Sequence, residues 1–186
     1  MPNKLIILDR DGVINYDSDH YIKTVDEWIP LPGSMAALAK LTQAGYKIAI
    51  ATNQSGIGRG YFTVATLDAM HRKMLNLASQ IGAKIDVIAY CPHGPDEQCN
   101  CRKPLPGLIH QIEQALNMSA EGCYMVGDSL RDLQAGSAAG LVPALVLTGK
   151  GERTLAKKEG LAGVAVFADL NSFVDNLVRS TLSEGS

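Results

Sequence analysis

No apolar stretch in the 186-residue chain approaches the roughly 18 residues that a membrane-spanning helix needs. Charge of one sign is missing too. Seventeen Lys and Arg stand against 19 Asp and Glu, a net charge of −2. That balance leaves no basic face for nucleic acid or for an anionic membrane. No internal repeat or low-complexity tract interrupts the sequence. Before Asp9 there is one Lys and a four-residue apolar run, Leu5-Ile6-Ile7-Leu8, too short for a secretory signal. An intracellular, cytoplasmic protein is expected, a monomer without membrane or nucleic-acid partners.

What is present is an ordinary globular composition, 46% hydrophobic and 19% charged. Residues 1–180 are expected to form one domain with a sizeable core, and 181–186 a disordered tail. Short, almost continuously apolar runs predict strands buried on both faces at 5–8, 47–51, 87–90, 123–126, 144–147 and 164–167. Helical patterns lie between them. One follows Pro32-Gly33, from Ser34 to Ala44. A second covers 63–81, with apolar residues recurring at Leu67, Met70, Met74, Leu77, Ala78 and Ile81 and with Thr63 as N-cap. Others cover 106–116, 130–140 and 171–178. This order predicts an α/β fold: a doubly wound, mostly parallel Rossmann-like sheet with helices on both faces. The longest loops, about 12–32 and 92–105, are of a length that usually serves function.

Polar residues cluster where strands end. The first strand runs into Asp9-Arg10-Asp11-Gly12, the second into Thr52-Asn53-Gln54-Ser55, the fourth into Gly127-Asp128-Ser129-Leu130-Arg131-Asp132. Arg102-Lys103 lies between the last two. In a parallel sheet these stretches converge on one edge, where ligands bind. Each has a plain structural reading: Asp-Gly and Thr-Asn suit turns, Asp128 suits a helix cap, Lys103 a solvated loop, and Asp132 a helix start or a support for Lys103. Taken together the set suits phosphoryl transfer. One carboxylate serves as nucleophile, and Asp11 is free to act as general acid and then base. Asp9, Asp11 and Asp128 offer the hard oxygens that Mg²⁺ prefers. The Thr52 hydroxyl and the Lys103 ammonium hold phosphoryl oxygens.

Cysteine is scarce, and three of the four residues fall within eleven positions. Cys91, His93, Cys99 and Cys101 form a Cys₃His set suited to closed, structural Zn²⁺, in a loop that ends at Lys103. Loose thiols are the alternative. Cys123 lies on a predicted strand and reads as core.

The four stretches resemble the motifs of the haloacid dehalogenase superfamily of phosphatases: Asp9-x-Asp11, Thr52-Asn53, Lys103 and Gly127-Asp128-x-x-x-Asp132, over residues about 5 to 150. The resemblance implies Asp9 as nucleophile, Asp11 as acid and base, Thr52 and Lys103 on the phosphoryl group, and Mg²⁺ on the Asp9 carboxylate, the Asp11 carbonyl and Asp128. Many members carry Thr after the turn, where this chain has Val13. The short gap from Asp11 to Thr52 implies no large cap domain. Members with a zinc loop resemble two groups, phosphatases of sugar bisphosphates and of histidinol phosphate. The stretches Asn53-Gln54-Ser55-Gly56-Ile57-Gly58-Arg59-Gly60-Tyr61-Phe62 and Arg102-Lys103-Pro104-Leu105-Pro106-Gly107 are closer to the first, which implies a small phosphorylated sugar as substrate.

Candidate substrate contacts are Asn53, Gln54, Ser55 and Arg102, whose planar fork suits a second phosphate. Asp17 and His20, in the first loop with Ser18 and Asp19, are further candidates, or else part of a solvated loop. Arg59 is a further candidate for that second phosphate, or else a structural charge near a helix, and His71 and His110 read as surface residues on helices. A phospho-receiver domain is the alternative outside enzymes. A zinc-stabilised nucleic-acid module is disfavoured by the charge balance.

Overall fold

Side chains alternate across the strands, and the alternation sorts the core into two layers. The computed structural model describes residues 1–185. Its elements, in chain order, are β1 (Leu5–Leu8), α1 (Ser34–Gln43), β2 (Lys47–Asn53), α2 (Val64–Gln80), β3 (Val87–Cys91), α3 (Gly107–Leu116), β4 (Tyr124–Gly127), α4 (Leu130–Ala138), β5 (Val142–Val146), α5 (Gly151–Lys157), β6 (Ala165–Phe167) and α6 (Leu170–Glu184). All six strands pair in parallel, in the order β3-β2-β1-β4-β5-β6. Ile6, Leu8, Ile48, Ile50 and Val126 pack with Leu38, Met70 and Phe173 from α1, α2 and α6. Leu5, Ile7, Ala49, Ala51 and Met125 pack on the other face with Leu108, Ile112 and Ala135 from α3 and α4. The doubly wound fold is as the sequence implies.

Strand order reverses at β1, which lies between β2 and β4. A crevice opens at such a switch point, outside the carboxyl ends of the strands. The chain from Asp9 to Gly33 crosses this end without an inserted domain, pinned by bridges from Asn15 to Asp11 and to Pro30.

Several boundaries differ from expectation. β2 continues to Asn53, so Thr52 and Asn53 are strand residues paired with Tyr90 and Cys91 of β3. Helix α5 was not anticipated. Its seven residues, buried only at Gly151 and Thr154, lack an apolar stripe. Thr63 caps α2 as expected, its side chain accepting from the Thr66 N–H. Helix α6 runs to Glu184, well past 178, and takes in 181–184, where a disordered tail was expected. Its last turn offers only one large apolar residue, Leu182, and that one is exposed. Ser186, the end of that tail, lies outside the described residues. Among the described residues no helix is long and apolar enough to cross a membrane.

Candidate active site

Asp9 follows β1 directly, and its N–H donates to the Val126 carbonyl of β4. Its Oδ1 accepts from Lys103 Nζ at 2.9 Å and from the Arg10 N–H at 2.8 Å. No described residue donates to Oδ2. Lys103 is buried, and its ammonium also donates to Asp132 Oδ1 at 2.6 Å and to the Ala51 carbonyl at 2.8 Å. Burial would lower the Lys103 pKa, but the charges of Asp132 and Asp9 outweigh it and raise it. Burial, then the Asp132 charge, pushes Asp9 up to about 7 against the pull of Lys103.

Two amide side chains from the end of β2 organise this centre. Asn53 Oδ1 accepts the Lys103 N–H at 2.9 Å while Asn53 Nδ2 donates to the Lys103 carbonyl at 3.1 Å. Both ends of the amide are thus spent on the main chain of the lysine. Gln54 Nε2 donates to Thr52 Oγ1 at 2.9 Å and to Asp11 Oδ2 at 3.1 Å. Thr52 lies beneath the cleft surface, and since its oxygen accepts from Gln54, its own O–H stays available to donate.

Asp11 is held differently from Asp9. Oδ1 accepts from Arg10 Nε at 2.9 Å and from Asn15 Nδ2 at 2.8 Å. Burial, the largest influence, raises its pKa. The Arg10 charge and the hydrogen bonds from Asn15, Arg10 and Gln54 outweigh burial and hold it below the ordinary carboxylate range. Two carboxylates two residues apart are therefore driven in opposite directions by their surroundings.

Asp128 completes the edge at the end of β4. Its Oδ2 accepts the Lys150 N–H at 2.9 Å, and its carbonyl accepts from Thr154 Oγ1 at 2.8 Å. Gly12 and Gly149, both at positive φ, press against this carboxylate so closely that a Cβ on either would overlap it. Asp132 does both things foreseen for it. Its Oδ2 accepts from the Ser129 N–H at the start of α4, and its Oδ1 pairs with Lys103.

The donor oxygens of Asp9, Asp128 and Asp132 lie within 4.8 Å of one another. Lys103 pairs with Asp9 and Asp132, one positive charge against two negative ones. Burial, followed by the charges of Asp9 and Asp132, pushes Asp128 up to about 9. Crowded carboxylates with too few cations, in a cradle free of Cβ atoms, fit a small hard cation such as Mg²⁺.

Four further donor atoms, from Cys91, His93, Cys99 and Cys101, also lie within 4.8 Å of one another. Cys91 Sγ is 3.8 Å from Cys99 Sγ and 2.8 Å from Cys101 Sγ, and His93 Nδ1 is 3.5 and 3.4 Å from Cys91 and Cys101. Sulfur and imidazole in this number fit a closed tetrahedral zinc centre. Cys123 is buried in the layer beside α3 and α4, as expected of a core residue.

The cleft over the carboxylates has a volume of about 290 Å³. Asn53, Gln54, Ser55, Arg102 and Asp17 line it, together with Arg59 and Arg131. Asp17 pairs with Lys150 Nζ at 3.5 Å. His20 shares the loop but is exposed and stands outside the lining; its N–H turns back to Ser18 Oγ. Arg59 stacks over the Tyr21 ring at 5.8 Å. His110 is exposed as expected. His71 is not a surface residue: it is buried, with Nε2 3.2 Å from Arg10 Nη1. Arg10, Asn15 and Lys150 carry parts of the site that sequence reasoning passed over. A charge lodged between two strand-end acids was the available signal for Arg10.

Fold and site together define a doubly wound α/β protein with a cluster of carboxylates and a lysine at its sheet switch point. The chain belongs to the haloacid dehalogenase-like hydrolase family, whose model matches residues 3–140. It is 58% identical over 154 residues, 83% of this chain and 88% of the relative, to a D-glycero-beta-D-manno-heptose-1,7-bisphosphate 7-phosphatase of Pseudomonas putida. It is 51% identical over 179 residues, 96% of this chain and all of the relative, to the protein of the same name in Pseudomonas aeruginosa. The crystal structure of D,D-heptose 1,7-bisphosphate phosphatase from B. bronchiseptica, complexed with magnesium and phosphate, superposes with a TM-score of 0.93 at 51% identity, covering 96% of this chain and 99% of that one.

Proposed function

We propose that the protein is a Mg²⁺-dependent phosphomonoesterase that removes the C7 phosphate of D-glycero-D-manno-heptose 1,7-bisphosphate. It would act in nucleotide-activated heptose biosynthesis, in the cytoplasm. The observation that carries the chemistry is the unequal treatment of the acid pair: Asp9 on Lys103 with one free oxygen, Asp11 on Arg10. The relatives' shared name supports the substrate. All the groups named come from one chain, so the reading needs no partner subunit.

In this reading Asp9 Oδ2 forms the new bond to phosphorus as the ester P–O bond breaks. Asp11 gives its proton to the departing sugar oxygen. An arriving phosphate dianion, a like charge, raises the Asp11 pKa and so helps that proton to be present. Water then attacks phosphorus and loses its proton to Asp11, which frees Asp9 and orthophosphate. The Thr52 hydroxyl and the Lys103 ammonium steady the phosphoryl oxygens as charge shifts. Mg²⁺, held by the Asp9 carboxylate, the Asp11 carbonyl and Asp128, would screen the nucleophile from the dianion. Arg102 at the cleft meets the second phosphate, and Asp17, Asn53, Gln54 and Ser55 border the sugar. Zn²⁺, held by Cys91, His93, Cys99 and Cys101, would stiffen the loop that carries Lys103.

Phosphate release is to be measured from both anomers of the bisphosphate and from histidinol phosphate. A clear preference for the bisphosphate is expected, and a strong preference for histidinol phosphate would overturn the substrate. Asp9→Asn is expected to abolish turnover with an unchanged circular dichroism spectrum. A wild-type protein that accumulates a stable aspartyl-phosphate without turnover would instead be a phospho-receiver.

A further inference from the structure

Arg10 carries a charge that is wholly buried, between the two acids of the strand-end motif. Such a group must be paired and hydrogen-bonded, or it destabilises its surroundings. Its side chain turns toward α2 rather than toward the cleft. Nε donates to Asp11 Oδ1 at 2.9 Å, and Nη2 lies 2.8 Å from the same oxygen as an ion pair without hydrogen-bond geometry. The remaining arm, Nη1, meets His71 Nε2 at 3.2 Å and Met70 Sδ at 3.9 Å, both on α2. His71 is buried and its pKa is lowered to about 4, first by burial and then by the Arg10 charge. A neutral imidazole can accept from the guanidinium through Nε2 while its proton sits on Nδ1.

The consequence falls on Asp11. Arg10 and Asn15 saturate Oδ1. Oδ2 keeps the single Gln54 bond, at 3.1 Å. It is therefore the oxygen free to hold and pass a proton. We propose that His71 is a positioning residue for proton transfer: from α2 it locks the Arg10 fork, and Arg10 in turn orients Asp11 so that Oδ2 is presented to the leaving group. This rests on the reading of Asp11 as general acid. It assigns a part in the chemistry to a helix residue some sixty positions downstream of the acid that does not line the cleft.

An acid matters only when the leaving group needs a proton. An alkyl ester, such as the heptose bisphosphate, needs one; para-nitrophenyl phosphate leaves as a stable anion and does not. His71→Leu removes the acceptor and keeps an apolar side chain; His71→Gln keeps an acceptor. For His71→Leu, kcat on the bisphosphate is expected to fall about tenfold with KM little changed. The nitrophenolate burst, which reports phosphorylation of Asp9, should keep its wild-type rate. His71→Gln should recover most of the alkyl turnover. Equal losses on both esters, no loss on either, or a change confined to KM would overturn the proposal. Should His71→Leu not fold, Arg10→Lys, which keeps the charge and loses the fork, is to show the same split. Absence of wild-type turnover of the bisphosphate would sink the substrate assignment alone, and the ratio would then be read on histidinol phosphate, also an alkyl ester.

Discussion

The two acids of the opening motif differ because their neighbours differ. Asp9 shares a buried pocket with Asp132 and Asp128, while Asp11 faces a guanidinium. His71 adds a pH-dependent contribution that can be isolated. Its ordinary value of 6.5 falls to about 4 in the folded protein. Between those values the unfolded chain binds a proton that the folded one refuses. The stability linked to neutral His71 is thus complete above pH 6.5 and is lost as the pH falls toward 4. Asp9, raised to about 7, works in the opposite direction over much of that range. The two are separated by comparing wild type with His71→Gln in urea unfolding. Relative to the variant, wild type is expected to lose up to roughly 3 kcal/mol between these limits. A difference that stays flat with pH would contradict the burial of a neutral imidazole. The sequence shows Asp9, Asp11 and Asp128 plainly, since strand-end acids before glycine or a helix are conspicuous. It hides His71, because a histidine in an amphipathic helix gives no sign of whether its face turns inward.

At the level of elements, the segment from β3 to α3 joins the Cys and His cluster to the buried Lys103. Cys91 ends β3, Cys101 is buried two residues before Lys103, and Asn53 of β2 clamps the lysine main chain from the other side. The lysine is thus located from both sides, by the loop of the Cys and His cluster and by a strand end. Removal of zinc with a chelator is expected to release only the loop side. Hydrogen exchange should rise across residues about 92–105 and remain slow in β2. Turnover should fall without global unfolding, and both changes should reverse on adding Zn²⁺. Metal analysis should give one zinc per chain before treatment. The cysteine spacing made the clustering of Cys91, His93, Cys99 and Cys101 legible. The Asn53 clamp was not legible, because it joins residues fifty positions apart. Helix α5 escaped notice because its short sequence carries no apolar repeat, yet the turn before it supplies the Lys150 N–H to Asp128.

For the whole molecule, the stretch matched to the family ends at residue 140, but the core does not. Leu170, Phe173, Val174 and Leu177 of α6 are buried against α1 and the sheet. Phe173 also meets Tyr124 and Phe167 edge-on at 5.3 and 5.2 Å. Phe173→Ala is expected to cost about 3–5 kcal/mol in denaturant unfolding. Activity per folded molecule should remain, because neither Phe173 nor its ring partners Tyr124 and Phe167 line the cleft. A loss below about 1 kcal/mol would mean that α6 is dispensable to the core.

By itself the sequence determined the layer architecture, the strand edge where the acids gather and the loop that holds the Cys and His cluster. Apolar strand runs, turn glycines and ligand spacing are local patterns, readable without knowing what lies opposite. Only the tertiary structure decided how those groups are governed. The depressed Asp11, the raised Asp9 and Asp128, the doubly clamped Lys103 and the His71–Arg10 support all depend on burial and on charges brought together from distant segments. Electrostatic effects of this kind are set by distance and by exclusion of water, and neither is written in the order of residues along the chain.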